Sequence, residues 1–165
     1  MLLIALSQLE GSGEGVAQRP WSTSRGLVVL KKWLEDRALT AEGLQLKNGS
    51  GLFDANRLSP RILARVLRLM LDRPGVYAEF LGQLALGGQD GTLKHRFEKG
   101  TLAGRVRAKT GTLKDVTALA GYVLRADGRP PIVFAFLVSG VAGRHDEARR
   151  RIDRTLGSMA QTLGI

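Results

Sequence analysis

Seven consecutive apolar residues, Ile132-Val133-Phe134-Ala135-Phe136-Leu137-Val138, restrict this chain's folding options more than any other stretch. The run is rich in β-branched and aromatic side chains and too short for a buried helix, so it reads as a strand covered on both faces. A strand of that kind needs neighbours, and two candidates precede it. Arg105-Val106-Arg107-Ala108-Lys109 alternates in polarity, and Thr117 to Leu124 is a run of small and β-branched residues. Asp127-Gly128 between the second and third segments is a hairpin signal. Short connections of this sort imply antiparallel pairing. Ala148, Ile152, Leu156, Met159 and Leu163 recur at helical spacing, which predicts a C-terminal helix packed on the sheet. No fourth strand is evident, and three are few for so apolar a member. The expectation is that further strand partners belong to chain outside these residues.

The first half reads as helices joined by turns. Ser22 or Ser24 is placed to cap a helix whose stripe is Leu27, Val28, Leu30 and Leu34. Met1 to Leu9 reads as a buried helix end, and residues 10–20 as a connector. Residues 40–58 are turn-rich. Ser59-Pro60 opens a second helix, because serine caps and proline at the first helical position loses no needed N–H. Its stripe is Leu63, Val66, Leu67 and Met70, and Arg73-Pro74-Gly75 ends it. A short helix is predicted over Val76 to Leu86, then irregular chain to Gly104 with one helical turn near Lys94–Glu98. The fold class is therefore α/β of the α+β kind, an antiparallel sheet flanked by helices, and 165 residues allow one domain.

Composition removes several kinds of chemistry. With no cysteine, disulfides, thiolate metal sites and a cysteine nucleophile are excluded. Two histidines, His95 and His145, argue against multi-histidine metal sites and Ser/His/Asp triads. The net charge of +10 raises the prospect of nucleic-acid binding, yet an aromatic share of 5% offers few stacking platforms. The densest basic run, Arg144 to Arg154, lies on a helix pattern and reads as a solvated face. Nothing approaches the roughly 18 apolar residues of a membrane span. Met1 to Leu6 is not read as a signal peptide, because no basic segment precedes it and Ser7-Gln8 interrupts it.

Lys109-Thr110-Gly111-Thr112 stands out as a candidate anion site. Lysine supplies charge, Thr110 and Thr112 supply donors, and Gly111 lets a substrate backbone lie against the strand. The alternative is an ordinary strand-to-turn exit with a solvated lysine. A phosphate loop is excluded, since Ala108 stands where the glycine before the lysine would be. Ser50 reads as a turn residue, His95 as an exposed loop residue and Asp115 as a hairpin residue. Trp21 and Trp33 read as core anchors.

The order of segments around this strand narrows the reading. Asn48-Gly49-Ser50-Gly51-Leu52 is followed by Asn56, then Leu58-Ser59-Pro60. Next come Leu86-Gly87-Gly88-Gln89-Asp90-Gly91-Thr92-Leu93, Arg96 and finally Lys109-Thr110-Gly111. The set resembles the serine D-Ala-D-Ala carboxypeptidases among the low-molecular-mass penicillin-binding proteins, of the class with inserted domains. It departs from that pattern at Asn48, usually Asp, and at Phe53, usually Ser. The resemblance implies a penicillin-binding-protein/serine β-lactamase-like fold, of which residues 1–165 would be the C-terminal portion of one transpeptidase-like domain. It implies a serine acyl-enzyme mechanism on peptidoglycan stem peptides ending in D-Ala-D-Ala, with β-lactams as ligands of the intact enzyme. Lys109 and Thr110 would hold the terminal carboxylate, Gly111 would make room for the substrate, and the Thr112 N–H would be one oxyanion donor. No metal or organic cofactor is implied, nor nucleic acid, and the location would be periplasmic.

The family's chemistry also requires Ser-x-x-Lys and Ser-x-Asn. No serine of the sequence has lysine three positions on or asparagine two positions on. The chain by itself is therefore expected to be inactive, and its open sheet edge prone to self-association. A non-catalytic peptidoglycan-binding or scaffolding remnant is the rival reading, and a basic nucleic-acid-binding domain a more distant one.

Overall fold

The computed structural model describes residues 22–52 and 56–165. Met1 to Trp21 and the segment 53–55 lie outside the described residues. So do the readings that fall there: the N-terminal helix end, the connector, Trp21 and Phe53. The chain divides into two compact units, Met1–Ile62 and Leu63–Ile165.

In the first unit, helix α1 spans Thr23–Glu35. Ser22 is extended and its hydroxyl accepts from the Arg25 N–H at 3.3 Å, so the predicted cap holds. Leu34 and Gly26 are buried, whereas Val28 is exposed and leaves the predicted stripe. Trp33 is only half-buried, with the Arg37 guanidinium 4.5 Å above its ring, so it is not a core anchor. The turn-rich stretch closes on two asparagines. Asn56 Oδ1 accepts from the N–H groups of Lys47 and Asn48, at 2.8 and 3.2 Å. Asn48 Oδ1 accepts from the Gly51 N–H at 2.8 Å, and Ser50 serves this turn as expected. Pro60 starts helix α2, Pro60–Leu71, which belongs to the second unit from Leu63 on, with Ser59 Oγ accepting from the Ile62 N–H at 3.3 Å.

The second unit is built on a four-stranded antiparallel sheet in the order β1-β2-β3-β4, with strands Ala85–Leu86, Val106–Leu113, Val116–Val123 and Ile132–Ser139. Helix α3 covers Pro74–Gly82 and helix α4 His145–Thr162. The predicted helix over Val76–Leu86 stops four residues early because Ala85 and Leu86 pair with Ala108 and Arg107. Two residues are too few to show periodicity. Tertiary partners make this strand instead: the Arg107 guanidinium donates to the Leu84 carbonyl at 3.0 Å, and Asp90 Oδ1 accepts from the Leu86 N–H at 2.8 Å. The helical turn expected near Lys94–Glu98 is a 3-10 turn at Gly91–Leu93.

Two corrections concern the sheet. The apolar run of β4 lies at the edge of the described sheet, with only Phe134 of that strand buried. The central place belongs to β3, where Thr117, Leu119, Gly121, Tyr122 and Val123 are all buried. An unbroken apolar run reports that both faces of a strand are covered. It says nothing about neighbours in the hydrogen-bonding direction. The stripe of α4 is Ala148, Ile152, Leu156 and Ala160, a straight i, i+4 row, while Met159 and Leu163 are exposed.

Alternation along β2 and β3 sorts the two faces. Val106, Ala108, Leu119, Val123 and Phe134 meet Ile152, Leu156 and Ala160 of α4 in one core. On the opposite face Tyr122 packs with Leu67 and Leu84, edge-on to Tyr77 at 5.3 Å between ring centroids. Its hydroxyl donates to the Leu67 carbonyl at 2.9 Å, and burial pushes its pKa well up. The β2–β3 seam is tight at Gly121. A Cβ there would lie 2.1 Å from the Arg107 carbonyl oxygen and 2.6 Å from the Ala108 Cα. Gly121→Ala is therefore expected to cost about 1–3 kcal/mol, the scale of overpacking. A fall in the urea midpoint would show it, and an unchanged midpoint would refute it.

Candidate active site

The tetrad Lys109-Thr110-Gly111-Thr112 lies within β2 and does not end it, since the strand runs on to Leu113. On its inner side β2 pairs with β3 over its whole length, Val106↔Val123 to Leu113↔Val116. On its outer side β1 covers only Arg107 and Ala108. From Lys109 to Leu113 the outer edge has no strand partner among the described residues.

Hydrogen-bond parity states which groups face that edge. The Gly87 N–H donates to the Val106 carbonyl on the outer side, and the Leu124 N–H to the Arg105 carbonyl on the inner side. Even-numbered residues of β2 therefore point their N–H and C=O outward, Thr110 and Thr112 among them. The backbone groups of Lys109 and Gly111 point into the sheet. An extended peptide laid along this edge would meet the Thr112 N–H and C=O in strand geometry.

The side chains straddle the same edge. Lys109 lies on the Tyr122 face, and its Nζ reaches round to donate to the Thr110 carbonyl at 2.8 Å. Thr110 and Thr112 lie on the α4 face. The Thr110 hydroxyl donates to Thr92 Oγ1 at 2.9 Å, and Thr112 Oγ1 accepts from Arg149 Nη2 at 3.2 Å. Lys109, Thr112 and Thr92 are exposed. Gly111 has its missing Cβ toward Ala118, where a methyl would come within 3.2 Å of the Ala118 Cβ. An ammonium, a guanidinium and three hydroxyls thus gather along one unpaired strand edge, an arrangement that suits a carboxylate at the end of an extended peptide.

Three residues to which the sequence assigns no role at the site hold this edge in place. Asp115, read only as a hairpin residue, accepts from the Gly140 N–H at 3.1 Å and the Ala142 N–H at 3.0 Å, and so clamps the β2–β3 turn to the β4–α4 loop. His145 Nδ1 lies 2.9 Å from Thr117 Oγ1 and its Nε2 is 3.2 Å from the Lys114 carbonyl. That geometry satisfies Thr117, the one buried polar residue among the described residues. Arg96 forms a two-pronged pair with Asp153 of α4, its Nε 3.1 Å from Oδ2, three residues after the Leu93 that anchors the Thr92 turn. Thr92, within Asp90-Gly91-Thr92-Leu93, and Arg96 both belong to the ordered set of segments in the sequence. His95 is exposed beside Glu98, as read. Among the described residues no group of three or more potential ligands is placed to hold a metal.

The fold and this strand edge define a penicillin-binding-protein-like α+β unit. The chain belongs to the D-Ala-D-Ala carboxypeptidase 3 (S13) family, whose pattern matches residues 9–162. It is 30% identical over 147 residues to a D-alanyl-D-alanine carboxypeptidase of Actinomadura sp. strain R39, covering 87% of this chain and 26% of that protein. A carboxypeptidase of Mycobacterium tuberculosis is 33% identical over 132 residues, 76% of this chain and 28% of that one. Penicillin-binding protein 4 of Haemophilus influenzae, solved in complex with a β-lactam, superposes with a TM-score of 0.69 at 26% identity. That match covers 84% of this chain and 30% of the solved one. The chain thus spans less than a third of the length of each of these relatives.

Asp115 makes the hairpin clamp pH-dependent. The N–H groups of Ala142, and then Gly140, hold its carboxyl below the usual value of 3.8. A depressed value favours the charged form in the folded state, so the contribution is present above that usual value and is lost as pH falls through the folded one. Asp115→Asn is expected to destabilise the chain near neutrality. The gap from wild type should close in urea titrations stepped from about pH 7 to about pH 2. A gap independent of pH would contradict the clamp.

Proposed function

We propose that this chain is the C-terminal segment of a single DD-peptidase domain. The protein containing it would cleave peptidoglycan stem peptides ending in D-Ala-D-Ala, as a carboxypeptidase or endopeptidase, through a serine acyl-enzyme. The observation that carries the reading is the outer edge of β2 at Lys109–Leu113, without a strand partner among the described residues and flanked by Lys109, Thr110 and Thr112. Membership of the carboxypeptidase family supports it.

The division of labour is the one the family resemblance implies, laid on this edge. A stem peptide lies antiparallel to β2 and pairs with the outward N–H and C=O of Thr112. Lys109 meets its terminal carboxylate, with the Thr110 hydroxyl turning to it from Thr92 Oγ1. The carbonyl under attack sits on the Thr112 N–H, which then stabilises the oxyanion as the tetrahedral centre forms. Nucleophilic attack needs a serine activated by a lysine three residues on, which is not found in these 165 residues. It would come from elsewhere in the longer protein, together with the Ser-x-Asn element. Attack breaks the D-Ala–D-Ala amide, releases D-alanine and leaves an acyl-serine, which water hydrolyses. β-Lactams would acylate the same serine. The substrate places the protein outside the cytoplasm, in the periplasm or wall space.

A fluorescent penicillin tests this directly. The 165-residue chain is expected to take no covalent label. The native protein containing it is expected to have an intact mass well above 17.9 kDa and to be labelled at an upstream Ser-x-x-Lys serine. In that protein Lys109→Ala should slow acylation about 10–100-fold, the scale of a hydrogen bond to a charged group. A label on any serine of the isolated chain, or a native protein of 17.9 kDa, would overturn the assignment.

A further inference from the structure

We propose that Arg149 is a positioning residue for the substrate carboxylate, acting through the Thr112 hydroxyl. The inference rests on the DD-peptidase reading, because the carboxylate concerned is the C-terminus of the stem peptide.

A threonine hydroxyl has one proton to give and two lone pairs to receive. The surroundings of Thr110 and Thr112 use these differently. Thr110 spends its proton on Thr92 Oγ1, at 2.9 Å. Thr112 instead accepts, with Arg149 Nη2 donating into its oxygen at 3.2 Å. A donated N–H fills a lone pair and turns the hydroxyl proton away from the guanidinium. Among the described residues nothing accepts that proton. Thr112 belongs to the stretch of β2 without an outer strand, so its proton is available to an anion arriving along that edge. The bond comes from a cation, which strengthens the hydroxyl as a donor.

Arg149 is itself held. Its Nη1 donates to Asp146 Oδ1 at 2.8 Å, one helical turn back on α4, and its side chain is 37% exposed. Asp146 lies in the first turn of α4, where a carboxylate is favoured by the helix dipole. The order is thus helix terminus, Asp146, Arg149, Thr112, substrate. Lys109 approaches the edge from the opposite face of the sheet, so ammonium and polarised hydroxyl bracket the place a carboxylate would take. Arg149 stands 37 residues from Thr112 in sequence, on a helix face that reads as merely basic.

The test uses the full-length protein. Wild type, Arg149→Ala, Arg149→Lys and Asp146→Ala are assayed on an acylated D-Ala-D-Ala peptide with a free carboxylate and on the same peptide as its C-terminal amide. Arg149→Ala is expected to raise KM for the acid about 10-fold, with kcat little changed, because one charge-assisted interaction is lost. The preference for acid over amide should shrink by the same factor. Arg149→Lys should recover part of that preference, and Asp146→Ala should lose part of it. Those two variants carry the test if Arg149→Ala does not fold. An acid-to-amide preference unchanged by all three variants, whatever happens to kcat, would overturn the proposal and leave the DD-peptidase reading standing. A wild type that neither cleaves the peptide nor takes a penicillin label would overturn both.

Discussion

The unequal pairing of β2 is the constraint on which the rest depends. One edge is matched residue for residue by β3, from Val106↔Val123 to Leu113↔Val116. The other is matched by β1 at only two positions. A strand paired on one side is held straight and in register, yet among the described residues its other side has no strand partner for the N–H groups of Thr110 and Thr112 or the C=O of Thr112. Such an edge is usually a liability, because it invites another chain to pair there. Here it carries Lys109, Thr110 and Thr112, and the same openness becomes a place for an extended peptide.

That edge stays in place because the hairpin beyond it is tied down from three sides. Asp115 accepts two backbone N–H groups from the β4–α4 loop. His145, the first residue of α4, bridges Thr117 on β3 and the Lys114 carbonyl in the turn. Arg149, one turn further along α4, reaches Thr112 itself. Each tie is polar and partly solvated, and each alone is modest. Together they fix the strand end relative to α4, whose Ile152, Leu156 and Ala160 are buried against the same sheet. The apolar core sets the distance between helix and sheet, and the polar ties set the position of the functional edge.

What was legible beforehand depended on the range of each interaction. Ser22 and Ser59-Pro60 mark helix starts because capping acts within three or four residues. Asp127-Gly128 marks a hairpin for the same reason, with Gly128 at φ +73° where other residues are strained. Ala85-Leu86 was read as helix because a two-residue strand exists only by virtue of Arg107 and Ala108, some twenty positions away. The run Ile132–Val138 suggests a strand with neighbours on both sides, but apolarity reports covered faces, whereas sheet order depends on lateral partners. Met159 and Leu163 fit the α4 stripe by helical spacing, yet the row that meets the sheet ends in the smaller Ala160.

By itself the sequence determined the element types apart from β1, the antiparallel succession of three strands, the C-terminal helix and the candidate tetrad Lys109–Thr112. These follow from local propensity, periodicity and residue chemistry, all written within a few positions. The tertiary structure alone decided which edge of β2 stays bare and which backbone groups face it. It also decided that Thr92, Asp115, His145 and Arg149 surround or brace that edge. Those outcomes depend on register and on partners 18 to 37 residues apart, where loop closure and packing of the whole sheet choose among pairings that no local pattern distinguishes.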